Sequence, residues 1–106
     1  MTNLEALISE VEPYTVSPFT YSKKLIDNSI EETATYVTEN KVKIAKCAIS
    51  ILVALLPLSS DSTGRASQSY NKEGLEDRIK ALCDENGFDA SEYIELPTVT
   101  VYHNLI

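Results

Sequence analysis

The stretch KIAKCAISILVALLPL, Lys43 to Leu58, decides how this chain folds. From Cys47 to Leu56 it offers a single polar side chain, Ser50, and so has no obvious wet face. A membrane span needs about 20 mostly apolar residues. This run stops at Pro57, and Lys41, Lys43 and Lys46 cut into its other end. What is left has the length of a buried core helix. A helix that is apolar all round must be covered all round. The reading is therefore a central helix over about 39–56, enclosed by other helices, by other subunits, or by both. Ile49, Ile51, Leu52, Leu55 and Leu56, each contributing about 1.5–3 kcal/mol when fully buried, would dominate the stability of so small a domain.

The preceding residues supply cover. Thr2 and Glu5 stand in capping-box spacing, and Leu4, Leu7, Ile8 and Val11 form one stripe that Pro13 ends. Ser17 is a good N-cap with Pro18 at the first helical position, and Tyr21, Leu25 and Ile26 give a second helix fading near Asn28. Ser29 and Glu32 repeat the capping-box spacing, predicting one or two further turns through Ala34 and Tyr36.

After Pro57 the chain changes character. LSSDSTGRASQSYN is rich in Ser, Thr, Gly and Asn, and predicts a long polar loop over 58–71. Asn71 then opens a helix in which Leu75, Ile79, Leu82 and Cys83 share a face. Asn86-Gly87 supplies a left-handed stop, onto which Phe88 folds back. A turn around Asp89 to Tyr93 has helical character. TVTVYHNLI alternates Thr98, Thr100 and Tyr102 with Val99 and Val101, a strand signal over an extended tail of about 97–106. The expected fold is one mainly α domain over 1–106, a small bundle of 3–5 helices around the central one. Its terminal strand has no evident partner within the chain, and unpaired strands commonly find one. An undercovered helix and an unpaired tail both point to self-association.

Composition narrows the function classes. Nine basic against 16 acidic residues give a formal charge of −7, which works against attachment to nucleic acid or anionic membranes. The opening MTNLEALISEVEP has no basic residue, so no signal peptide is expected. Cys47 and Cys83 lie far apart in apolar patterns, which predicts buried free thiols and a cytoplasmic chain rather than a disulfide framework. The single His103 has no orienting partner for general-base work, and no cluster of Cys, His and carboxylates has metal-ligand spacing. DSTGR, Asp61 to Arg65, lacks the phosphate-loop pattern. Glu31-Glu32 and Asp84-Glu85 read as solvated surface, since sequence neighbours on a helix do not face each other. Six tyrosines spread near turns and element ends suit either an interface or the rim of a core. No catalytic residue, cofactor site or metal site is expected, and no enzyme class emerges.

The order of elements carries a resemblance. It rests on the opening NLEALISEVEPYTVS, the apolar helix around Ala48 and Ala54, the stretch SQSYNKEGL (Ser67 to Leu75), CDENG (Cys83 to Gly87) and the closing LPTVTV. Together these resemble the small helical proteins encoded in structural-gene clusters of tailed phages and prophages, particularly of Bacteroides-type bacteria. The chain looks like a relative of their head–tail connector, or head completion, proteins. The resemblance implies a non-enzymatic, ring-forming subunit that meets portal or tail proteins, in the cytoplasm of the bacterial host and then in the virion. The loop Ser59–Tyr70 and the tail Thr98–Ile106 would be its contact elements. The alternative expectation is a small intracellular helical module, alone or as a homodimer, that binds or regulates a protein partner.

Overall fold

In the computed structural model, which describes residues 1–59 and 70–94, four α-helices follow one another as the hydrophobic spacing requires. The first, α1, runs Asn3–Val11. Its capping box is formed in both directions: the Glu5 amide donates to Thr2 Oγ1 at 3.1 Å, and the Thr2 amide donates to Glu5 Oε1 at 2.8 Å. Leu7 and Val11 are fully buried, and Leu4 and Ile8 pack partly exposed beside them. The second helix, α2, runs Pro18–Asp27, with Ser17 Oγ accepting from the Phe19 amide. Tyr21 and Leu25 face inward, but Ile26 stands 69% exposed. One residue further round the helix than Leu25, it points away from the core that Leu25 enters.

The segment after α2 departs from expectation. Ser29 does not cap a new helix; it closes the old one. Its backbone is left-handed (φ 60°), the Ser29 amide donates to the Ile26 carbonyl, and the Ile30 amide donates to the Leu25 carbonyl at 2.9 Å. Residues 32–36 then cross the start of α1 as an irregular strap. The Asn3 amide donates to the Ala34 carbonyl, the Leu4 amide to Glu32 and the Tyr36 amide to Met1, with Thr2 and Thr35 forming an antiparallel bridge. Backbone groups committed to α1 in this way cannot form i→i−4 bonds of their own, which is why the capping-box spacing at Ser29 and Glu32 yields no helix.

A single turn of 3₁₀ helix, Thr38–Asn40, leads into the central helix α3, Lys41–Leu55, and another, Leu56–Leu58, ends it at Pro57. The expected 39–56 helix is therefore present. Helices α1, α2 and α4 each pack on it. Eight of its residues are buried by this single chain, among them Ile44, Ile49, Ile51 and Leu52. The fourth helix, α4, runs Lys72–Asn86. Asn71 caps its first turn through Gly74, Leu75, Ile79, Leu82 and Cys83 are buried, and Gly87 is left-handed at φ 76°. The Phe88 amide donates back to the Cys83 carbonyl at 2.9 Å. Arg78 ties α4 to α1, donating to the Glu10 carbonyl and to Glu10 Oε1, both at 3.0 Å. A 3₁₀ turn, Ala90–Glu92, delivers Ile94 into the core. The architecture is a mainly α bundle around α3, and no strand occurs among the described residues. Most of the expected loop 58–71, and the whole of the expected tail 97–106, lie outside those residues.

Candidate interaction surface

The two thiols are the most intrinsically nucleophilic side chains of the molecule. Cys47 on α3 and Cys83 on α4 are both free and buried. Desolvation pushes both thiols above the usual range. For Cys47 the nearby Lys24 partly offsets this and Asp27 adds to it; for Cys83, Asp84, Asp89 and Glu92 all add. Cys47 Sγ lies 3.5 Å from the Lys24 carbonyl oxygen, a donor-side contact with the last turn of α2. Neither thiol is placed or charged to attack a substrate.

The remaining groups named from the sequence are dispersed. Glu31, Asp84 and Glu85 are exposed, and Glu32 is half-buried with its backbone engaged by α1. Among the described residues no group of three or more His, Cys, Asp or Glu could hold a metal ion, and no helix is long and apolar enough to cross a membrane. The Asp89 carboxyl is held below its ordinary range by the hydroxyl and amide of Ser91, a local turn contact. His103 and Asp61 to Arg65 lie outside the described residues.

Of the tyrosines, Tyr21 is buried, with its oxygen 3.4 Å from the Val16 amide. Tyr14, Tyr36, Tyr70 and Tyr93 sit half-buried at the rim of the core, and Tyr102 lies outside the described residues. Tyr14 and Tyr70 stand ring to ring, 6.4 Å apart and tilted by 52°. They meet where Gly74 comes close: a Cβ added there would lie 2.6 Å from the Tyr14 hydroxyl oxygen. The root of the loop at Tyr70 thus packs on Tyr14, which follows α1 and itself lies against the first turn of α4.

The central helix does have a wet side, which its composition conceals. Val42, Lys46, Ser50, Val53, Ala54 and, just past its end, Pro57 recur at steps of three and four residues and form one stripe that the neighbouring helices leave open or half-covered, with Ser50 and Val53 half-buried and Val53 packed on the core. Val42 is 44% exposed, and Leu58 at the end of the stripe is 59% exposed. Lys43 and Lys46 make its first half basic, with the Lys46 ammonium 5.8 Å from the centre of the Phe88 ring. The second half is small and apolar. On α4 the exposed stripe has the opposite sign, with Glu73, Asp77 and Asp84 against Lys80. A separate exposed apolar pair, Phe19 and Ile26, lies two turns apart on the outside of α2.

Sequence reasoning did not find Asn3, a buried polar residue that is 2% exposed. Its side-chain amide donates to the Glu31 carbonyl at 2.9 Å and its Oδ1 accepts from Asn40 at 3.4 Å, joining α1, the strap and the start of α3. No local pattern signals it, since both partners are distant in sequence.

The chain belongs to the DUF6706 family, a family of unknown function, whose profile matches residues 1–105. Neither a curated protein nor a solved structure matches it.

Proposed function

We propose that this member of the DUF6706 family is a non-enzymatic structural subunit of a tailed phage or prophage, a head–tail connector that acts by oligomeric assembly. The observation that carries the reading is the open stripe of α3, where the most apolar helix of the chain meets solvent. The resemblance over Ser67 to Leu75 and Cys83 to Gly87 supports it. Portal or tail proteins are its partners, met in the bacterial host and retained in the virion. The loop 59–70 and the tail 98–106 are the further contact elements, and an acidic surface beside a DNA channel would not grip passing phosphates.

A second reading is favoured by one observation. Eight residues of α3 are already covered within a single chain, so the fold does not require another copy. A small helical module binding a different intracellular protein is the alternative.

Light scattering on a sizing column, over a range of concentrations, separates the two. A large discrete oligomer, or a climb toward one, is the connector outcome. A monomer at every concentration is the outcome for the module. Deleting Val99 to Ile106 is expected to leave the helical core folded and to lower the oligomer mass; loss of the helical circular-dichroism signal would instead make the tail part of the core.

A further inference from the structure

We infer that the open stripe of α3 docks against the acidic outer face of α4 in a second copy of this chain. The inference rests on the self-association proposed above and names the surfaces that perform it.

The two faces match in charge. Lys43 and Lys46 are exposed and make no ion pair among the described residues, in a chain whose formal charge is −7. On α4, Glu73, Asp77 and Asp84 recur at helical spacing on the exposed side. Among the described residues only Asp77 is engaged there, by Lys80 at 3.9 Å with both side chains well exposed, a contact too loose and too wet to neutralise the face. The faces also match in length. Both helices have 15 residues and so extend about 22 Å. Beside the lysines, Ser50 and Ala54 are small enough for another helix to come close, and Val53 and Leu58 supply apolar area that the polar end alone would lack. Complementary potentials set register and orientation more than they set affinity, which is what an assembly of identical copies needs.

The test is a charge swap read by solution mass. Lys43→Glu with Lys46→Glu places acid against acid across the contact. It should raise the concentration at which the oligomer forms by about tenfold or more. Lys43→Glu alone, which leaves the Lys46–Phe88 contact intact, should act in the same direction. Adding Asp77→Lys and Asp84→Lys to the double variant returns the formal charge to −7, because two changes of −2 meet two of +2. This fourfold variant should regain the wild-type mass. All four positions are exposed, so helical circular dichroism should be unchanged throughout.

An oligomer whose mass ignores the lysine reversals would overturn the surface while leaving self-association standing. Failure of the fourfold variant to regain mass would overturn α4 as the complement. A wild-type chain that stays monomeric at every concentration would remove both this surface and the assembly reading.

Discussion

Helices α2 and α4 end in the same geometry with different residues. Each closes on a left-handed position followed by an apolar residue whose amide reaches back five residues: Ser29 then Ile30 to Leu25, and Gly87 then Phe88 to Cys83. Glycine takes that backbone freely, whereas serine pays roughly 1–2 kcal/mol for its Cβ. What differs is how well the following side chain is held. Ile30 is 6% exposed within the core, while Phe88 is half-buried against it. A deeply buried anchor can hold an unfavourable backbone in place. A partly exposed anchor goes with a residue that needs no holding.

Truncating the anchors should break this contrast most visibly. Ile30→Ala should cost about 2–4 kcal/mol in urea unfolding, because a filled site becomes a cavity and Ser29 loses its constraint. Phe88→Ala should cost less, about 1–2 kcal/mol, since part of the ring is already in water. Equal losses would mean that burial of the anchor does not govern the two ends. Gly87→Ala should lower stability by about 1 kcal/mol through the left-handed backbone alone, as its Cβ would meet nothing within 4 Å. Ser29→Gly should go the other way, raising the thermal midpoint by the equivalent of up to about 1 kcal/mol, less the chain entropy that glycine adds to the unfolded state.

The smallest effect concerns the thiols, one beside each helix end. Both are raised by burial, so the folded chain keeps protons that the unfolded chain releases. Their contribution is complete below the ordinary thiol value of about 8.5 and declines as pH rises toward and through the raised folded values. The urea midpoint should therefore fall more steeply above that pH in the wild type than in a Cys47→Ala, Cys83→Ala chain. Parallel curves would show that the buried thiols are not linked to folding.

The same two ends show what could be read from residues in order. Asn71, the Leu75–Ile79–Leu82 stripe and Asn86-Gly87 are local signals, and α4 begins and ends where they place it. Ser29 is chemically a start signal, and only its position after Leu25 and Ile26, with Ile30 drawn into the core, makes it a stop. That information is tertiary. The same holds for α3: its extent was legible from Lys41 to Pro57, but its solvent side was not, because Val42, Val53 and Ala54 look no different from core residues until α1, α2 and α4 have chosen their sides. On α2, Ile26 reads as a core residue for the same reason. As for a site, the scattered acids and distant cysteines pointed to no chemistry, while the opposed charges of α3 and α4 became a pattern only once exposure separated them from the buried faces.

The strap over the start of α1 has a consequence for how the chain is made. The amides of Asn3 and Leu4 find their acceptors about thirty residues later, at Ala34 and Glu32, and the Asn3 side chain waits for Glu31. A nascent chain that has emerged only as far as Pro13 therefore holds a helix whose first turn still bonds to water. Its completion must follow the emergence of α2 and the strap. In pulse-labelled hydrogen exchange during refolding, the Asn3 and Leu4 amides should acquire protection together with Tyr36 and later than the amides in the middle of α1.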